Sequence, residues 1–89
     1  MPYTLADFRR DINAPYAWPG GYPRYFTTHD GAALSFEAAR ENAASIRAAI
    51  RENDSNGWLV VACEVNWEDA GLVCDHTGRR IESAYGELA

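Results

Sequence analysis

Hydrophobic residues recur every three or four positions between Ser35 and Asn53, which is the spacing of one face of an α-helix. The apolar positions on this face are Phe36, Ala39, Ala43, Ile46 and Ile50. Ser35 is a suitable N-cap, because its hydroxyl can accept a backbone N–H of the first turn, and the polar run from Asn53 to Gly57 is typical of a helix end. The pattern predicts one long amphipathic helix over residues 35–53.

A shorter helix is predicted at the N-terminus. Thr4 followed by Asp7 matches a capping box, and Leu5, Phe8 and Ile12 share one helical face that runs to about Asn13. This apolar face is expected to pack against the long helix.

Residues 14–24 combine three prolines and two glycines with the rings of Tyr16, Trp18 and Tyr22. Proline and glycine disfavour regular structure, so the segment is predicted to be a loop. Two interpretations of its rings stay open. The loop can fold back to cover the core, or Tyr16, Trp18 and Tyr22 can form a secondary partner-binding surface of the kind found at interface hot spots.

Strands are predicted on either side of the long helix. Residues 25–28 and 32–34 flank His29-Asp30-Gly31, whose glycine can adopt a positive φ, so they predict a β-hairpin. Residues 58–65 alternate as a strand does, but both sides begin apolar, which favours a central or well-covered strand in its first half.

The C-terminal part predicts two further strands, residues 72–75 and 79–82, joined by a tight turn at residues 76–78. The expected fold is therefore a small two-layer α+β domain, residues 1–89 as a single unit. Its antiparallel sheet, the hairpin plus a C-terminal three-strand meander, is expected to pack on one long central helix and a short N-terminal helix.

Composition places the chain among globular proteins. It has 89 residues, 47% hydrophobic and 24% charged, with no apolar run near the roughly 20 residues that span a bilayer. The N-terminus lacks the features of a secretory signal. A soluble cytoplasmic protein is expected, with Cys63 and Cys74 as free thiols.

The negative net charge limits the kinds of molecule that the protein is expected to bind. The formal net charge is −5, the isoelectric point is near 4.8 and all eight basic residues are arginine. Phosphate binding depends on clustered positive charge, so direct nucleic-acid binding is not expected. From Gly57 onward, Arg79 and Arg80 face a larger set of acidic residues: Glu64, Glu68, Asp69, Asp75, Glu82 and Glu87.

This excess is either a solubilising face or a contact surface for a basic protein. Trp67 stands within it and either caps the edge of the core or anchors a partner. The candidate partner-binding residues are Glu64, Trp67, Glu68, Asp69, Asp75 and Glu82.

No catalytic constellation is evident. Cys74 and His76 stand two positions apart without a third orienting group, and none of the serines lies in a nucleophile elbow. The glycine pair Gly20-Gly21 lies among prolines rather than between a strand and a helix, so it does not predict a phosphate-binding loop. A non-enzymatic protein without a cofactor is expected.

Several motifs resemble a group of short proteins encoded by bacteriophages and prophages. They are Tyr22-Pro23-Arg24-Tyr25-Phe26, Asp30-Gly31, Gly57-Trp58, Val65-Asn66-Trp67-Glu68-Asp69, Cys74-Asp75-His76-Thr77-Gly78 and Ile81-Glu82-Ser83-Ala84-Tyr85-Gly86. The resemblance runs from about Leu5 to Gly86. It implies a zinc-ribbon-like scaffold with two C-x-x-C pairs. The four thiolates of these pairs can hold Zn²⁺ tetrahedrally.

This chain departs from that pattern at the ligands. The pairs fall on Ser35 and Ala38 and on Cys74 and Thr77, so one thiol of the four is kept. A single thiolate cannot hold a structural zinc, and the chain is expected to fold without metal. An improvised site from Cys63, Cys74 and His76 would lack a fourth ligand.

The expectation that follows is an acidic interaction protein of phage origin. It would be an inhibitor of a host defence complex, such as a CRISPR effector, and would bind that complex's basic nucleic-acid-binding surface. The alternative is a degenerate zinc-ribbon module that binds nucleic acid or a replication or transcription protein. A homodimer formed through an uncovered face of the strand at residues 58–65 also stays open.

Overall fold

The computed structural model describes residues 2–85, and Met1 and residues 86–89, including Gly86 and Glu87, lie outside the described residues. Within residues 2–85 the elements are α1 (Leu5–Asp11), β1 (Tyr16–Ala17), β2 (Tyr22–Thr28), β3 (Ala33–Leu34), α2 (Phe36–Glu41), α3 (Ala43–Glu52) and β4 (Val60–Val65). Helices and an antiparallel sheet are thus combined in one small globule, which confirms the α+β class.

Strand β2 is the centre of the sheet. It pairs antiparallel with β1, β3 and β4, and its register with β4 places Tyr25 opposite Glu64 and Phe26 opposite Cys63. Helix α2 contacts β2, α3 contacts β4, and α1 contacts α3, so the helices form the second layer. The ring of Phe26 lies 4.5 Å from that of Phe36 and 5.5 Å from that of Phe8, at the centre of the core.

The predicted helix starts are confirmed. The Thr4 hydroxyl accepts from the Asp7 backbone N–H at 3.1 Å, and the Asp7 carboxylate accepts from the Thr4 N–H at 2.9 Å. The Ser35 hydroxyl accepts from the Ala38 N–H at 3.1 Å and begins α2.

The predicted long helix is divided into α2 and α3 at Asn42. This residue has φ −117° and ψ 23°, and its side-chain amide donates to the Ala38 carbonyl at 2.9 Å. An asparagine that bonds the preceding turn in this way competes with the regular helical ladder. The amphipathic pattern continues across the break, because Phe36, Ala39 and Ile46 are all buried.

The loop predicted at residues 14–24 contains a short strand pair. Pro15 and Pro23 accept hydrogen bonds through their carbonyls, from the N–H groups of Arg24 and Asn66, and neither needs to donate. Proline is compatible with a strand at such positions. The β1–β2 strand pair therefore forms in a segment whose proline content predicted a loop.

The strand predicted at residues 58–65 is not central. Among the described residues, β4 pairs only with β2. Its register shifts between Thr27 and Thr28, which face Ala62 and Val60, so Val61 is the extra residue of a β-bulge and is exposed. Val61 is one of the apolar residues from which a covered strand was predicted, and the bulge leaves it exposed.

The predicted C-terminal meander is reduced to a small hairpin beside β3, where the Asp75 N–H donates to the Ala33 carbonyl at 2.8 Å. Val73 and Arg80 form one antiparallel bridge, supported by hydrogen bonds from Cys74 N–H to the Arg79 carbonyl and from Ile81 N–H to the Leu72 carbonyl, both 2.8 Å. The hairpin contributes the buried side chains of Cys74 and Ile81 to the core.

Candidate functional site

Three aromatic rings meet at one end of the sheet. The centroid of Tyr22 lies 4.7 Å from that of Trp67 and 6.1 Å from that of Tyr85, while Trp67 and Tyr85 are 6.2 Å apart with ring planes only 16° from parallel. We call these three residues the aromatic patch. The patch joins Trp67 of the predicted primary surface to Tyr22 of the predicted secondary one.

The antiparallel register explains this meeting. Tyr22 begins β2 and β4 ends at Val65, so the residues that follow β4 lie beside the start of β2, and the Asn66 N–H donates to the Pro23 carbonyl at 2.9 Å. The chain then returns along the same edge. The Tyr85 N–H donates to the Trp67 carbonyl at 2.8 Å and thereby sets Tyr85 beside Trp67.

A buried asparagine fixes this arrangement. The side-chain amide of Asn66 donates to the carbonyls of Asp69, Ile81 and Glu82 at 3.0, 3.4 and 3.1 Å, and its oxygen accepts from the Asp69 N–H at 3.2 Å. One amide thus ties the loop after β4 to the segment that carries Tyr85. Buried polar groups bonded this completely give a local structure one defined conformation.

The rings are accessible to a partner. Trp67 is 48% exposed and Tyr85 is 47% exposed, and Tyr22 lies half-buried against both. A hydrogen bond with the Tyr22 side chain raises the pKa of the Tyr85 hydroxyl, so the two phenols are linked. The patch is an exposed apolar surface held in place by polar contacts.

Three acidic residues, Glu64, Glu68 and Asp69, lie within three positions of Trp67 in the chain. The Glu64 carboxylate accepts from the Thr27 hydroxyl at 2.8 Å and from the Tyr25 hydroxyl at 3.5 Å. Burial raises the pKa of the Tyr25 hydroxyl, and the negative charges of Glu64 and Asp69 raise it further. We call Glu64, Glu68 and Asp69 the acidic rim.

The acidic rim is not neutralised by ion pairs within residues 2–85. The ion pairs recorded there involve Asp7, Asp11, Glu37 and Glu52. Glu64, Glu68 and Asp69 are all exposed, and the recorded bonds of Glu64 and Asp69 are to hydroxyl and backbone groups. Their negative charge is therefore available to a second molecule.

The other predicted contact residues occupy different parts of the surface. The Asp75 N–H donates to the Ala33 carbonyl, which places Asp75 near the opposite end of the sheet from Trp67. Glu82 lines a shallow cleft of about 310 Å³ together with Tyr16 and Pro23. Trp18, 78% exposed, stands in the turn between β1 and β2. Among the six predicted residues, Asp75 thus lies apart from Trp67.

The candidate metal ligands are also separated. Cys63 lines a cleft beside α1, whereas Cys74 lies against the start of α2, where its sulfur accepts from the Ser35 N–H at 3.4 Å. The ring of His76 packs on Trp58, 5.1 Å between centroids. Within residues 2–85 no three side chains of ligating type come together.

The two thiols have opposite environments. Burial raises the pKa of Cys63 to about 12. Burial also acts to raise the pKa of Cys74, but hydrogen bonds from Ser35 and Thr77 outweigh it and lower the pKa to about 7. Ser35 and Thr77 occupy two of the positions at which the resemblance implies zinc ligands, so the structure brings Ser35, Cys74 and Thr77 together.

Sequence reasoning missed two residues of the site. Both residues fall in motifs of the resemblance, which assigns a role to neither Tyr85 nor Asn66. Neither carries a local signal, because each acts through contacts with residues distant in sequence. The one usable hint was Tyr85 itself, a large aromatic residue outside any predicted helix or strand.

Comparison with protein-family models, with curated proteins and with solved structures found no match for this chain. No helix within residues 2–85 is long and apolar enough to cross a membrane. The geometry of the described residues defines a small α+β domain with an aromatic patch and an acidic rim.

Proposed function

We propose that the protein is a non-enzymatic interaction protein that docks on a basic surface of another protein through its aromatic patch and acidic rim. The observation that carries this proposal is the meeting of Tyr22, Trp67 and Tyr85, because Trp67 is followed in the chain by carboxylates without ion-pair partners among the described residues. Exposed tryptophan and tyrosine anchors with complementary charge are common at protein interfaces.

Electrostatics supports a basic partner. The net charge of −5 accelerates encounter with a positively charged surface and makes affinity decrease as salt screens the attraction. Several of the chain's own arginines are engaged internally. Arg10 and Arg24 bond Asp11, Arg79 bonds Glu37, and Arg40 donates to the Ile12 carbonyl. Such dispersed positive charge argues against a phosphate-binding face.

The resemblance to phage proteins makes the proposal more specific. A small acidic protein encoded by a phage can inhibit a host defence complex, such as a CRISPR effector, by covering the basic channel in which that complex holds nucleic acid. The protein would act in the host cytoplasm. The acidic rim would occupy phosphate positions in the channel, and the aromatic patch would add apolar contact area.

The alternative is a degenerate zinc-ribbon module that binds nucleic acid or a replication or transcription protein. The contact between Ser35 and Cys74 favours the scaffold part of this alternative. A mobility-shift assay with duplex and single-stranded DNA at low salt separates the two functions, because even weak non-specific binding to nucleic acid is detected at low salt. We expect no shift, and a clear salt-sensitive shift would favour the alternative.

The proposed surface is tested by charge reversal. The tagged protein is used to capture partners from host lysate, and the dissociation constant of the captured complex is measured from low to high salt. We expect binding to weaken as salt rises and to be lost when Glu64, Glu68 and Asp69 are changed to lysine.

A control variant with Glu41, Glu52 and Asp54 changed to lysine alters the net charge equally at the helices. It is expected to keep the affinity within about threefold of wild type, since screened charges away from an interface contribute little. Equal losses in the two variants would show that net charge alone matters and would contradict the assigned surface.

A further inference from the structure

We infer that the aromatic patch recognises an arginine side chain of the partner, whose guanidinium stacks on the Trp67 ring. This rests on the proposed function, because it specifies which group of a basic surface is bound. The near-parallel rings of Trp67 and Tyr85, each about half exposed, present the π surface. Tryptophan is the ring that attracts cations most strongly, and guanidinium is the cation found most often on it.

The acidic rim selects a cation over an apolar anchor. Glu68 and Asp69 directly follow Trp67, Glu64 lies three positions before it, and all three are exposed. An apolar side chain placed on Trp67 would leave these carboxylates without compensation at the interface. A guanidinium can lie on the ring with its planar face and donate hydrogen bonds from its edge to a carboxylate.

The same geometry favours arginine over lysine. An ammonium ion is a compact, strongly hydrated charge that cannot stack, whereas guanidinium is planar and more weakly hydrated. An exposed ring whose neighbours in the chain are carboxylates can use both properties of guanidinium. Lysine would keep the charge and lose the stacking.

The aromatic patch is preorganised by hydrogen bonds. Asn66 bonds the carbonyls of Asp69, Ile81 and Glu82, and the backbone bond from Tyr85 to Trp67 fixes the neighbouring rings. Gly20 also contributes, because a Cβ there would lie 2.7 Å from the Tyr22 ring and would displace it. Binding to a preformed site avoids the entropic cost of ordering it.

Three peptides of equal length test the inference at low salt. They are identical except at one central position, which carries arginine, lysine or its uncharged isostere citrulline, and affinity is measured by fluorescence anisotropy of labelled peptide. We expect arginine to bind at least about threefold more tightly than lysine, and citrulline to bind most weakly. Equal binding of the three peptides, or no measurable binding of the arginine peptide, overturns the inference.

Variants locate the site. Trp67→Leu is expected to abolish the preference for arginine over lysine, while Val73→Ala, which removes an exposed apolar side chain from the C-terminal hairpin, leaves it unchanged. Circular dichroism confirms that each variant is folded. A preference that survives Trp67→Leu overturns the inference.

The two proposals fail differently. If reversal of the acidic rim weakens the captured complex but the three peptides bind alike, arginine recognition is wrong and the docking surface stands. If neither the acidic-rim variant nor Trp67→Leu affects the captured complex, the proposed docking surface is wrong as well.

Discussion

Asn66 shows how one residue shapes this molecule. It is 4% exposed, yet its side chain makes four hydrogen bonds to backbone groups of two separate segments. A buried backbone group that loses its partner costs free energy, so the amide stabilises both segments that carry the aromatic patch.

Replacement of Asn66 by alanine should lower the free energy of unfolding by about 2–4 kcal/mol, because the buried Ile81 carbonyl and the part-buried groups of Asp69 and Glu82 lose their partner. Asn13→Ala is the matched control, since that exposed amide makes one bond, to the Arg9 carbonyl, and its loss should cost less than about 0.5 kcal/mol. Urea denaturation measures both. Similar values for the two variants would contradict the role assigned to Asn66.

The Cys74 thiol should make stability depend on pH. Its pKa is lowered from 9.0 to about 7 in the folded chain, so between these values the native state has released a proton that the unfolded state still holds. The resulting stabilisation is present above pH 9 and is lost as pH falls through 7. It amounts to about 2–3 kcal/mol.

Cys63 acts in the opposite sense at higher pH. Because its pKa is raised to about 12, its contribution is present below pH 9 and decreases from there toward pH 12. Denaturation at pH 7, 8 and 9 should show stability rising in wild type and in Cys63→Ser but not in Cys74→Ser. An unchanged slope in Cys74→Ser would exclude a thiolate at that position.

At the scale of elements, the sequence predicted the hairpin turn, but it did not predict the interruptions within a helix and a strand. The His29-Asp30-Gly31 turn was predictable because glycine alone readily adopts positive φ, and Gly31 has φ 83°. The division at Asn42 and the bulge at Val61 depend on a side-chain bond and on strand register. Hydrophobic periodicity carries no information about either.

Gly31→Ala tests the turn. A Cβ at this position meets nothing within 4 Å, so the expected loss of about 1 kcal/mol comes from backbone strain alone. Gly57 is the control, since its surroundings are equally open and it is not among the positive-φ glycines. Gly57→Ala should be neutral or slightly stabilising in thermal unfolding, and an equal loss in both variants would contradict this account of the hairpin.

At the scale of the whole molecule, the fold brings together residues of the two partner-binding surfaces that the sequence predicted separately. Tyr22 and Trp67 are 45 positions apart in the chain, and the antiparallel pairing of β2 with β4 brings them into contact. The same topology sends Asp75 toward the other end of the sheet. Charge counting could indicate an acidic surface, but only the register decides which carboxylates share it.

The scaffold resemblance has its own test. We expect wild-type protein purified without chelator to carry no stoichiometric zinc, and a variant with Ser35, Ala38 and Thr77 changed to cysteine to bind one Co²⁺ with the absorption of tetrahedral thiolate ligation. The triple variant would place thiols around Cys74. A control carries its extra cysteines at three exposed positions, Ala44, Ser55 and Ala70.

Stoichiometric zinc in wild type would contradict the expectation of a metal-free fold. A triple variant that binds no better than its control would contradict the resemblance at the ligand positions.

The measurement that tests the central claim most directly is an NMR titration with the captured partner. The chain has three indole N–H groups. That of Trp18 reports on the β1–β2 turn, that of Trp58 on the segment just before β4, and that of Trp67 on the aromatic patch. We predict that the Trp67 signal shifts or broadens first, while the Trp58 signal stays in place. A response of Trp58 with Trp67 unchanged would contradict docking through the aromatic patch.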